Sequence, residues 1–107
     1  MKVDWKTAKK ACRLFGGELA YVNNEAEMEY FNSSREGLNR FDWMGIRRNK
    51  RGTKWINIHR KEQSLFSLDQ SELEGKQNCV QSKADNSWSD ADCDMTREVV
   101  CRFEDAC

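Results

Sequence analysis

The chain predicts a single α+β domain over residues 1–107, two helices followed by short strands around a loop-rich middle. Three observations carry this reading. Apolar residues recur at helical spacing only in the first third, and strand-like alternation begins near Phe41. The length of 107 residues leaves room for one core. Four Trp and five Phe are too many for a disordered chain, although hydrophobic content is only 38% beside 34% charge.

The elements follow in order. Asp4 to Phe15 reads as an amphipathic helix with Asp4 as N-cap, Ala8, Ala11, Cys12 and Phe15 on one face, and Gly16-Gly17 as the stop. Glu18 to Val22 reads as a short strand. A second helix opens at Asn24, where Glu27 completes a capping-box pattern, with Ala26, Met28, Tyr30 and Phe31 as its apolar members. Strands are expected at 41–46, 54–58, 78–81, 87–89 and 98–103. Between them, 62–78 has no steady period; Leu65, Phe66 and Leu68 would anchor it as an ordered loop. There are no repeats and no low-complexity runs.

The five cysteines are Cys12, Cys79, Cys93, Cys101 and Cys107. No pair has C-x-x-C spacing and His59 is the lone histidine, which argues against a zinc site and for disulfides in an extracellular or lumenal compartment. Four cysteines allow three pairings, and spacing does not choose among them. Cys107 is left over: it would bridge to another chain as a disulfide-linked dimer, pair with an adjacent module, or stay free. No uncharged stretch approaches the roughly 18 residues of a membrane span. No signal-peptide pattern is present, so a mature domain or a piece of one is expected.

The motif order is similar to the C-type lectin-like domain family. The family's opening W-x-x-A-x-x-x-C helix matches Trp5 to Cys12, followed by Gly16-Gly17-Glu18-Leu19-Ala20. Its Asn/Ser-x-x-Glu signature matches Asn24 and Glu27, and its W-I-G-L strand matches Trp43-Met44-Gly45-Ile46, with Trp55 beyond. Asn78-Cys79-Val80, Trp88-Ser89-Asp90, Cys93 and Val100-Cys101 match the closing half. The resemblance spans residues 5–103. It implies a C-type lectin-like fold, with two small antiparallel sheets and a long loop region. It also implies that Cys12 pairs with Cys101, and Cys79 with Cys93. The family usually starts with a strand before the first helix, where this chain has only Met1-Lys2-Val3. That departure implies a domain without its first strand, and a less stable one.

The family's calcium-dependent sugar site departs further. Its Glu-Pro-Asn or Gln-Pro-Asp triplet falls on Asp69-Gln70-Ser71, its pre-cysteine Glu on Gln77 and its Asn-Asp pair on Ser89-Asp90. Only Asp69 and Asp90 keep a carboxylate, Glu72 and Glu74 lie out of register, and the chain has no proline. Calcium takes six to eight oxygen ligands. The expectation is no cofactor, with a degraded calcium site at Asp69 and Asp90.

The formal charge balances at 18 positive and 18 negative side chains, which argues against a uniformly basic nucleic-acid binder. The balance conceals a dipole. Residues 47–61 carry Arg47, Arg48, Lys50, Arg51, Lys54, Arg60 and Lys61 with no acid, whereas residues 62–107 hold four positive against eleven negative. Such a basic hairpin would attract sulfated glycans, sialylated surfaces or an acidic protein patch. The plainer alternative is a solvated hairpin whose charges pair with acids such as Glu62 or Asp42. The run Asp85, Asp90, Asp92 and Asp94 likewise reads as calcium ligands or as a solvated loop. Asn32-Ser33-Ser34 is a glycosylation sequon that would mark an exposed face.

No enzyme is expected. There is no G-x-S-x-G, no phosphate loop, and His59 sits beside Arg60 and Lys61 with no carboxylate partner evident. The reading is an extracellular recognition domain, secreted or part of an ectodomain, binding a protein ligand as a receptor, counter-ligand or mimic. The alternative is glycan binding, through calcium or through the basic 47–61 hairpin.

Overall fold

A computed structural model of the chain describes residues 2–50, 54–63 and 78–103. The element order is α1 (Trp5–Leu14), β1 (Glu18–Leu19), α2 (Glu25–Ser34), β2 (Asp42–Arg48), β3 (Trp55–Asn57), β4 (Cys79–Ser82), β5 (Trp88–Ala91), β6 (Glu98–Val99) and β7 (Cys101–Arg102). This is the α+β architecture expected from the sequence. Leu65, Phe66, Leu68 and Cys107 lie outside the described residues.

Both helices begin where their caps dictate. The Asp4 carboxylate accepts the Thr7 N–H at 2.8 Å. Hydrogen bonds from Thr7 hold that carboxyl below its ordinary value. In α2 the Asn24 side chain accepts the Glu27 N–H at 2.9 Å, and Glu27 accepts the Asn23 N–H at 3.2 Å. Helix α1 ends at Phe15, after which Gly16 takes φ +84°. Phe15 itself is exposed, not core: as the C-cap it has left the helical face that buries Trp5, Ala8 and Cys12. In α2 only Phe31 is buried, and Tyr30 turns to solvent.

Two sheets organise the strands. β1 pairs antiparallel with β7, aligning Glu18 with Arg102 and Leu19 with Cys101. The larger sheet runs β3-β2-β4-β5 antiparallel, with β6 lying parallel to the start of β2. Ahead of α1, Val3 exchanges two 2.9 Å backbone hydrogen bonds with Arg97, and its carbonyl accepts the Trp43 indole N–H. The expected strand at 18–22 stops at Leu19 because the next residues bond to several elements. Ala20 donates to Val100 and accepts from Gly45, while the Val22 carbonyl accepts from the Gln63 side chain. A side chain at Gly45 would collide with the Leu19 carbonyl, so this crossing needs glycine.

Strand β2 is covered on both faces. Trp43 joins Trp5, Ala8, Cys12, Leu19 and Cys79 in one cluster, whereas Met44 and Ile46 join Tyr21, Val22, Phe31 and Val80 in the other. The disulfides join Cys12 to Cys101 and Cys79 to Cys93, the pairing that the resemblance implied. A buried ion pair closes the end of the sheet: the Arg35 Nε meets Asp42 Oδ2 at 2.7 Å, and the same guanidinium donates to Ser82 Oγ and Asn86 Oδ1. Asp42 is therefore held by Arg35 and Arg40, not by the basic hairpin.

Candidate functional site

Side-chain alternation along β2 splits the two adjacent arginines of the basic segment. Arg47 points out, on the face that Trp43 shares with α1, and its guanidinium lies 5.8 Å from the Trp5 ring centroid. Arg48 points inward with Met44 and Ile46 and is only 4% exposed. Its guanidinium sits over Trp55 at 4.6 Å and faces Asp90 Oδ2 at 4.0 Å. A ligand therefore meets Arg47 but not Arg48, which corrects the surface role expected for Arg48.

The outward cations line a cleft of about 510 Å³ between α1 and the β2–β3 hairpin. Lys9, Arg47, Lys50, Lys54 and Arg60 surround it, and Trp5, Ile56 and Ile58 contribute its apolar lining. The sole acid in its lining among the described residues, Glu62, lies 3.8 Å from Lys54. Burial first, and then repulsion from Arg13, Arg47 and Arg60, hold the Lys9 ammonium below its ordinary value. Lys9 was not expected in this cluster; its spacing of four from Trp5, on one helix face, was the available signal. Lys61 is exposed but outside the cleft, its backbone closing the turn with Asn57. Arg51 lies outside the described residues.

His59 does have a carboxylate partner, contrary to expectation. Its Nε2 lies 2.9 Å from Glu18 Oε1 because the turn after β3 folds against β1.

The calcium ligands fare differently. Asp69, Gln70, Ser71 and Gln77 lie outside the described residues. Asp90 Oδ2 is buried with no hydrogen bond among the described residues, so one atom there could take a cation's charge. The surroundings do not fit one. Arg48 supplies positive charge, and the Ser89 hydroxyl takes the Gln81 amide at 3.0 Å. Among the described residues, no three acidic, His or Cys side chains converge. Asp85 and Asp92 serve their own turns, accepting from Ser87 and from the Asp94 N–H. Hydrogen bonds from Ser87 hold the Asp85 carboxyl below its ordinary value.

A second concavity, of about 610 Å³, lies between α2 and the β1–β7 end. Tyr21, Val22, Phe31 and Val100 line it, with Tyr30 (79% exposed) and Phe103 (57% exposed) at hand. Asn32, in the last turn of α2, is half-buried with its amide oxygen shielded, so the sequon does not mark the open face expected of it. No helix among the described residues is long and apolar enough to cross a membrane.

The family model described as the Lectin C-type domain matches residues 1–103. Among curated relatives, "C-type lectin domain family 4 member M" of Hylobates lar is 24% identical over 109 residues, covering 97% of this chain and 27% of that protein. "CD209 antigen" of Nomascus concolor is 23% identical over 104 residues, covering 92% of this chain and 26% of that protein. The chain thus spans about a quarter of the length of these relatives. The mouse scavenger receptor C-type lectin carbohydrate-recognition domain superposes with a TM-score of 0.81 at 16% identity, covering 97% of this chain and 86% of that one. Domains of this kind bind carbohydrates or proteins and are generally not enzymes. With the match running through both helices, both sheets and all four paired cysteines, the chain belongs to the C-type lectin domain family.

Proposed function

We propose that this chain is an extracellular recognition domain that binds a protein ligand, as a receptor, counter-ligand or mimic of one, without calcium-dependent sugar chemistry. The observation that carries the reading is the Arg48 guanidinium facing Asp90. Positive charge already neutralises the one carboxylate that the described residues retain from the family's site. A calcium ion there would meet like charge and, among the described residues, find too few oxygens. The two disulfides fit an oxidising compartment. Exposed Tyr30 and Phe103 beside the α2 concavity supply the aromatic contact that protein interfaces favour.

A thermal melt in calcium and in EDTA tests this. The two midpoints should coincide, since a ligand that binds only the folded state must raise its stability. An upward shift of several degrees in calcium would overturn the proposal and restore the calcium-dependent lectin.

A further inference from the structure

The cleft between α1 and the β2–β3 hairpin is a different kind of surface from the α2 concavity. Among the described residues, five cations converge on it from a helix, a strand end and a turn, and the one acid there is already beside Lys54. Repulsion among these groups works against folding, and an anionic ligand would relieve it. We propose that this cleft binds a chain of sulfated sugars.

Three features select that chemistry. The first is what the cleft lacks. Among the described residues, none of the exposed large hydrophobic side chains, Leu14, Phe15, Tyr30 and Phe103 included, line it. Its own aromatic, Trp5, is 4% exposed and spends its indole N–H on the Met44 carbonyl. Protein interfaces draw most of their affinity from desolvated aromatic anchors, which the described lining of this cleft does not offer. Its affinity must come from charge.

The second is how its polar groups are committed. Neutral sugars are held by amides and carboxylates that exchange hydrogen bonds with hydroxyls. Here the Asn57 side-chain oxygen accepts from the His59 and Lys61 N–H groups, the Asn49 oxygen accepts from the Lys54 N–H, and Glu62 lies beside Lys54. Cationic donors dominate what faces the opening, and a permanently ionised sulfate is a matching acceptor.

The third is shape. A concave slot flanked by Lys9 on one wall and by Arg47, Lys50 and Arg60 on the other admits a thin, extended polyanion more readily than a convex acidic protein patch. Arg47 and Lys9 both lie within 6 Å of the Trp5 ring, at 5.8 and 5.7 Å, so two of the cations are positioned from below.

Heparin is the probe, and titration calorimetry across a salt series is the measurement. Binding should weaken steeply with salt. It should fall about tenfold in the Lys9→Ala/Arg47→Ala/Arg60→Ala variant, the sum of three modest exposed ion pairs. Replacing Lys83 and Lys2, which lie outside the cleft, should leave it unchanged. If losing Arg47 lowers the melting point, the exposed pair Lys50→Ala/Arg60→Ala carries the same test with a smaller loss. Undiminished heparin binding in the cleft variants, or no heparin binding by the folded wild type, overturns the proposal. So does equal affinity for duplex DNA or for a poly-glutamate peptide of matched charge, which would make the cleft a general anion surface. Because calcium is absent from this assay, its outcome is independent of the melting experiment above.

Discussion

Arg35 shows how much of this domain rests on single side chains. It is buried at 4%, yet its charge is met by Asp42 at 2.7 Å, by Ser82 and Asn86 side-chain oxygens, and by the Arg40 carbonyl at 2.7 Å. Removing it strands the fully buried Asp42 carboxylate beside only Arg40. Arg35→Ala should therefore cost about 3–5 kcal/mol, measured as a drop in urea midpoint at unchanged slope. A loss under about 1 kcal/mol would mean that Arg40 alone suffices. At the same scale, the sequence marked Arg47 and Arg48 as one basic cluster. Their opposite fates follow from strand alternation, which was readable once β2 ran to residue 48. Trp55 is the cross-strand pair of Arg48 in the β2–β3 hairpin, but the rest of its inner-face surroundings was not readable, because Asp90 reaches it from β5, tens of residues away.

At the scale of the element, local signals located the helix starts well. Asp4, Asn24 and Glu27 act on backbone groups within four residues, so their partners are fixed by sequence spacing. The Asp4 cap also makes α1 acid-sensitive. Thr7 donors favour the charged carboxylate, placing its folded pKa below the unfolded value near 3.8. That stabilisation is complete above the unfolded value and is lost as pH falls through the lower folded one. Helical circular dichroism during acid titration should show α1 loosening in that window, and Asp4→Ala should remove the component. An unchanged acid transition in Asp4→Ala would show that the cap is not its source. Strands were placed less well than caps. Residues 20–22 are buried like a core strand, but their hydrogen bonds go to β2, to Val100 and to Gln63 in turn. Helix faces were imperfect too: Phe15 and Tyr30 fit the apolar pattern, yet both are exposed.

For the whole molecule, the two disulfides do unequal work. Cys12–Cys101 spans 89 residues and ties α1 to β7, whereas Cys79–Cys93 spans 14 and pins the β4–β5 region. In the loop-entropy description these closures contribute about 4.6 and about 3 kcal/mol. Replacing Cys12 and Cys101 together by Ala should lower the urea-derived stability more than replacing Cys79 and Cys93. The reverse order would show that local strain or packing outweighs chain entropy here.

The amino-acid order by itself determined the α+β class, the two caps, the cysteine framework through its likeness to a known family, and the uneven charge beneath a net of zero. These rest on near neighbours in the chain or on residue identity alone. Only the tertiary structure decided which basic residues share a surface. It drew Lys9 from α1 into the cleft, took Arg48 inward to Asp90, left Lys61 aside and gave His59 the Glu18 carboxylate. Each of those partners lies tens of residues away, and no local pattern encodes an encounter that exists only once β2 is packed between α1 and α2.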